Sequence, residues 1–384
     1  MSFSRPGCPF ELGAVDFEAQ PVIDWIESER RARRDLNLGE RPLILIGANA
    51  VLAQPFVAAA KASLNVVAVL DNALPADAAS RPMIIGDGEL DLALKAYPDA
   101  AGVLCCGSEN ALRHFRRLWG QRPQPLLFYF EVIAALDMAS HSLRLDFMRS
   151  FQSLEAAQAA RRTARRYLAD TPSLETLDGV LLHRLTWDLS LLDAVSRPEK
   201  AVYFEDDVMP LTPDEVFVDG GAYDGDTVRQ FLTASGGHYR EIHAFELDPV
   251  NAAVLANKTR DVARLTTYPV GLWSARAQLA LDSGDNGSRV SAEGDRRVDL
   301  VALDDLDITA PTLIKLDVEG AEIEVLRGAA KLIAKHKPRL AICAYHKADD
   351  LVTLFDAVRA IRDDYQFHLR HYSPIVFDTV IYAT

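Results

Sequence analysis

The chain is poor in cysteine, in basic charge and in long apolar runs. Its four cysteines, Cys8, Cys105, Cys106 and Cys343, show no CxxC spacing. That pattern offers no zinc site and points to a reducing compartment. Cys105 and Cys106 stand side by side in the apolar run AGVLCCG, where they read as small core residues of a strand. Lys and Arg together number 41 against 55 for Asp and Glu, a formal charge of −14. This argues against a broad electrostatic grip on nucleic acid or on an anionic membrane. The arginines Arg161, Arg162, Arg165 and Arg166 fall on a predicted helix and read as its solvated face. No apolar run has the length of a membrane span, and the N-terminus MSFSRPGCPF lacks the apolar core of a signal peptide. The expected location is the cytoplasm, with no nucleic-acid partner and no membrane span.

What is present is the composition of a globular protein, with 49% hydrophobic and 25% charged residues in 384 positions. That length favours two domains. After the helical lead-in VIDWIESERRARRDL, strand-like pieces alternate with helical ones: RPLILIG, AAAKASLNVVAVLDN, PMIIG, AGVLCCG, NALRHFRRLWG and PLLFYF. Alternation of this kind predicts a parallel sheet with crossover helices. A first Rossmann-like module with its lead-in is therefore expected over residues 1–130. Residues 131–200, rich in Leu, Ala and Arg, read as a helical connecting segment. A second α/β domain follows over 201–384, with strands at EVFVD, EIHAFEL, LTTYPVGL, VDLVAL, TLIKLDV and RLAICAY and a last, antiparallel one at DTVIYAT.

The most informative stretch is EVFVDGGAYDGDTVRQFL. An apolar run stops at Asp219, passes through Gly220, Gly221, Ala222, Asp224 and Gly225, and resumes at Thr227 with helical spacing. A strand, glycine loop and helix in that order bring backbone against a nucleotide-like ligand. An ordinary tight connection, whose glycines only supply unusual backbone angles, reads the same way. The next strand-like run, IHAFELD, ends in Glu246, placed where nucleotide-binding α/β folds put a carboxylate against ribose hydroxyls. Further on, IKLDVEGAEIEVLRGA crowds Asp317, Glu319 and Glu322 at a strand end and helix start, and AICAYHKADD sets His346 just past another strand. Acids at a helix start also complement its dipole, and a lone histidine is commonly structural.

Taken in order, VDGGAYDGDT, AFELDPVNAAVLANK, LDDL, IKLDVEGAEIEVLRGA and DTVIYA resemble the FkbM-type S-adenosylmethionine-dependent methyltransferases. The resemblance covers about residues 201–384. It implies a seven-stranded class I methyltransferase sheet with an antiparallel last strand. It also implies S-adenosylmethionine as cofactor, and O-methylation of a hydroxyl on a sugar, glycolipid or secondary-metabolite acceptor. Carried over by motif, Asp219, Gly220, Gly221, Ala222, Asp224 and Thr227 wrap the methionine part of the cofactor. Glu246 holds the ribose, and Ser288 in the Asn286-Gly287-Ser288 loop completes the adenosine pocket. Asp317, Glu319 and His346 face the transferred methyl, with neutral His346 the expected base for the hydroxyl proton. The loop departs from the family pattern in having Tyr223 after Gly-Ala, where many members have Asn. No His–x–Asp spacing supports a divalent metal, and none is expected.

The first module lacks GxGxxG, offering only Gly47 before Ala48-Asn49-Ala50, with Asp71 ending the next strand-like run. It is expected to be a scaffold or substrate-recognition module. An NAD-dependent oxidoreductase or epimerase, and a non-catalytic nucleotide-sugar binding protein, stay open as rivals, as does association into a homo-oligomer.

Overall fold

The computed structural model describes residues 8–50, 53–73, 82–136, 138, 152–284, 287–291 and 296–384. The chain divides into two compact units, one of residues 1–159 and 178–194, the other of 160–177 and 195–384.

In the first unit, β1 (Leu43–Ile46), β2 (Val66–Leu70), β3 (Met83–Ile85), β4 (Ala101–Leu104) and β5 (Leu126–Phe128) form an all-parallel sheet in the order β3-β2-β1-β4-β5. Runs such as LILI are buried along their whole length, as strands covered by helices on both faces must be. Gly47 follows β1 with φ +69°, and a Cβ there would lie 3.0 Å from Cys106 Cβ and 3.2 Å from the Phe115 ring. Both oxygens of Asp71 accept backbone N–H groups of the adjoining loops, from Asn49 and Ala73. A cavity of about 900 Å³ opens within this unit beside Trp119, Phe128 and Arg116.

The second unit carries β6 (Val216–Gly220), β7 (Glu241–Phe245), β8 (Leu265–Tyr268), β9 (Gly271–Leu272), β10 (Ala277–Gly284), β11 (Gly287–Ser291), β12 (Arg296–Val301), β13 (Leu313–Leu316), β14 (Arg339–Cys343), β15 (Phe367–His371) and β16 (Thr379–Ala383). Seven of them form one sheet in the order β15-β16-β14-β13-β6-β7-β8. Only β16 runs against the rest, antiparallel to both β14 and β15. The core beneath the sheet is aromatic, with Phe217 stacked on Phe231 at 4.6 Å and Phe204 against both rings.

Strand count agrees with the sequence reading, but strand membership differs at two places. The run VDLVAL is β12, and it pairs with β9 and β10 in a separate four-stranded sheet, β11-β10-β12-β9. An apolar run shows that a strand is buried and not which strand it pairs with. The seventh strand of the main sheet is instead β15, FHLRH, whose basic residues conceal it. Arg370 is 1% exposed because Asp170 and Ser173, some two hundred residues earlier, accept its hydrogen bonds.

Candidate active site at the strand ends

The C-terminal ends of β6, β7, β13 and β14 gather nearly every residue singled out above. After β6 the chain turns through Gly221 (φ +78°), Tyr223 (φ +46°) and Gly225 (φ +85°) before the helix Asp226–Ala234. The turn is pinned to β7. The amides of Gly221 and Ala222 donate to the Phe245 carbonyl at 3.0 and 2.9 Å, and the Tyr223 amide donates to Glu246 Oε2 at 2.9 Å. At Gly221 a Cβ would fall 1.9 Å from the Asp317 carbonyl oxygen, so no side chain fits where β6 passes β13. Thr227 is buried in the first turn of the helix. Asp224 lies outward, paired with Arg229 and Lys258, and the Lys258 and Arg229 bonds hold its carboxyl below the usual range against a desolvation cost. The Tyr223 side chain is 55% exposed.

Asp219 is fully buried. Lys315 Nζ, 1% exposed, lies 3.1 Å from its Oδ1 and donates to the carbonyls of Gly221 at 2.7 Å and Gly220 at 3.3 Å. This ammonium on β13 therefore ties the glycine turn from below. Burial opposes its charge, but Asp219 and Asp317 hold it protonated well above the ordinary range. Burial pushes the Asp219 carboxyl up to about 6, with Lys315 opposing.

Glu246 is 6% exposed. One oxygen accepts the Tyr223 amide and the other the Asp248 amide at 2.8 Å. Two acceptor positions of its carboxylate are thereby used and two are left. Burial pushes it up to about 7, moderated by those two amide bonds.

Around Asp317 the second half of the site assembles. Tyr203 and Tyr345 donate their hydroxyls to Oδ2 and Oδ1 at 2.9 and 3.1 Å. Burial raises this carboxyl, but Lys315 and His346 outweigh it and leave Asp317 below the usual range. His346, with a side chain 3% exposed, places Nδ1 2.9 Å from Glu322, and Nε2 3.4 Å from Asp317 and 3.9 Å from Glu319. These are ion pairs rather than aligned hydrogen bonds. Burial disfavours its charge, yet Glu322, Asp317 and Glu319 together push the imidazole up to about 10. Glu322 also accepts the amides of Val318 and Gly320, fixing a turn in which Glu319 takes φ +55°. Glu319 itself is 39% exposed along its side chain.

Asn286 lies outside the described residues. Of Ser288 only the backbone, in β11, is described, so its expected part in the adenosine pocket also lies outside the described side chains. Among the described residues no group of three or more His, Cys, Asp or Glu is arranged to hold a metal ion. Tyr203, Lys315, Tyr345 and Asp378 were not singled out as site residues by sequence. Lys315 and Tyr345 flank quoted motif residues, and Asp378 opens the quoted DTVIYAT. Tyr203 carries no sequence signal, since it reaches Asp317 only through the fold.

A seven-stranded sheet with one reversed strand, its glycine turn and acidic strand ends lying together, defines the class I methyltransferase fold. Residues 219–369 match the family model described as Methyltransferase FkbM domain. Among solved structures, the chain is similar to a methyltransferase FkbM from Methylobacillus flagellatus KT. That match has 24% identity and a TM-score of 0.74, and covers 96% of this chain and 100% of the other. At that identity the likeness is one of fold. A precorrin-6y C5,15-methyltransferase from Geobacter metallireducens GS-15 is 15% identical, over 45% of this chain and 81% of its own, with a TM-score of 0.30, too low to carry weight. No curated protein matches the chain.

Proposed function

We propose that the C-terminal unit transfers a methyl group from S-adenosylmethionine to a hydroxyl oxygen of a small-molecule or saccharide acceptor. The observation that carries this reading is Glu246. Its carboxylate ends the strand next to the glycine turn and keeps two acceptor positions, the number a ribose cis-diol needs. The residues fit the cofactor on that ground. Bound there, S-adenosylmethionine supplies an electrophilic sulfonium methyl. The turn Gly220–Asp224 and the start of the helix at Thr227 would line its methionine end, through backbone and carbonyl surface, since the amides of residues 221–223 are spent on β7 and Glu246. Asp219 is proposed to shape the turn through Lys315 rather than to touch the ligand.

Asp317, Glu319 and His346 are proposed to face the acceptor. Holding a hydroxyl oxygen in line and excluding water lowers the barrier to attack. The imidazole of His346 keeps its proton in this acidic nest at neutral pH, so we assign it to holding Asp317 and Glu319 in place. The free thiols of Cys8, Cys105, Cys106 and Cys343 favour a reducing compartment, and we place the reaction in the cytoplasm. Among the described residues no helix is long and apolar enough to cross a membrane.

Calorimetric titration of the full chain tests the reading. S-adenosylhomocysteine should bind, and NAD should not. Binding of NAD with no response to S-adenosylhomocysteine would overturn it.

A further inference from the structure

If His346 holds its proton, another group must take the one an acceptor hydroxyl gives up. Asp378 stands immediately before β16. The pairing of Cys343 with Val380, continued by the Ala344 amide on the Thr379 carbonyl at 2.8 Å, sets Asp378 opposite Tyr345. Tyr345 in turn donates to Asp317. Asp378 thus joins the same strand ends. Its backbone takes φ +59°, a conformation costly for most residues and held here by the Tyr372 amide on its carbonyl at 3.1 Å. Such strain gathers where a side chain is wanted in one place. Its side chain is half-buried, and no described residue donates a hydrogen bond to the carboxylate. The other acids here are engaged or peripheral. Asp317 accepts two phenol hydroxyls, Glu322 two backbone amides, and Glu319 sits at the exposed rim.

We propose that the Asp378 carboxylate is the proton acceptor of this site, the group to which an acceptor hydroxyl yields its proton. The inference rests on the methyltransferase reading above. In the step, the hydroxyl proton passes to a carboxylate oxygen of Asp378 and the hydroxyl oxygen's lone pair forms the new C–O bond. The electrons of the broken S–C bond stay on sulfur, so no oxidant or reductant is required. The groups that surround Asp378 suit it to this. Burial, together with Asp317, Glu199 and Asp226, pushes its carboxyl up to about 7, with His346 opposing. Tyr203, Tyr345 and Cys343 also face it, all protonated at neutral pH. A base that titrates near the working pH combines availability with driving force.

The test uses the full chain with aspartate Cγ labelled by carbon-13, titrated by NMR with S-adenosylhomocysteine present. Asp378→Asn is the control, because Asn is isosteric and tolerates positive φ. Expected is an aspartate signal with midpoint near 7 that vanishes in Asp378→Asn, while the separate Asp219 signal near 6 persists. In Asp317→Asn the Asp378 midpoint should fall by half a pH unit or more, since a neighbouring negative charge is gone. Asp378→Asn should bind S-adenosylhomocysteine within threefold of wild type. The proposal is overturned if the signal lost in Asp378→Asn titrates below pH 5.5, or if that variant loses affinity more than tenfold. Should wild type fail to bind S-adenosylhomocysteine at all, the methyltransferase reading falls, and a titration of the unliganded chain still decides the carboxyl.

Discussion

Glu246 shows how a single carboxylate couples burial to binding. Burial pushes it up to about 7, against about 4.3 in an unfolded chain. An acid raised in this way binds more protons folded than unfolded between those two values, so it costs stability as pH climbs through that window. Diol hydroxyls donate to the ionised form, so cofactor affinity should run the other way, rising with pH up to about 7 and levelling above it. Glu246→Gln should remove that rise and weaken S-adenosylhomocysteine binding about ten- to a hundredfold, the loss of one charge-assisted hydrogen bond of roughly 1.5–3 kcal/mol. Calorimetry across pH 5.5–8.5 on both proteins is the measurement, and parallel curves would remove Glu246 from the pocket. At Gly221 the constraint is steric. Gly221→Ala would drive a Cβ against the Asp317 carbonyl, and it should abolish binding while leaving the N-terminal unit's unfolding unchanged.

At the scale of elements, two buried cations hold strands that the hydrophobic pattern alone would not. Lys315 joins β13 to the end of β6 through Asp219 and two carbonyls. Lys315→Met leaves Asp219 buried without its partner, which should cost about 3–5 kcal/mol and show as a lowered midpoint in thermal unfolding. If that variant instead melts like wild type, the ammonium is not the tether. Arg370 does the same for β15, through Asp170 and Ser173. The bonds from Arg370, Ser173 and His368 outweigh burial and hold the Asp170 carboxyl well below the usual range. This contribution is therefore complete above about pH 4 and fades as pH falls toward the folded value. Asp170→Asn should lower stability at pH 7, and the difference between the mutant and wild-type curves should shrink steadily as pH falls below the usual carboxylate range.

For the whole molecule, the two compact units make one expectation checkable without knowing the acceptor. The helical stretch read over residues 131–200 is drawn on by both, residues 160–177 by the second unit and 178–194 by the first. We propose that the cofactor acts on the second unit alone. Scanning calorimetry should then resolve two transitions, with S-adenosylhomocysteine at a hundredfold its dissociation constant adding about 2.7 kcal/mol to one of them. A single transition that shifts as a whole would argue that the units unfold as one body.

What the sequence determined by itself is the set of strand ends and the chemistry they carry. An apolar run that stops at an acid or a pair of glycines marks both a buried parallel strand and the place where the sheet meets ligand, because backbone turns out of the core there. The places of Asp219, Gly221, Glu246, Asp317 and His346 at or just past strand ends were legible for that reason, and so was the class of fold. Charge states and partners were not, since they depend on residues distant along the chain. Only the tertiary structure put Asp219 beneath the turn with Lys315, closed three carboxylates around His346 so that it keeps its proton, and brought Tyr203 and Asp378 to Asp317. The same holds for β15, whose Arg370 reads as surface until Asp170 is folded against it. Local pattern fixes which residues are buried. Which buried charges find each other is decided by topology, and the properties of this site follow from that pairing.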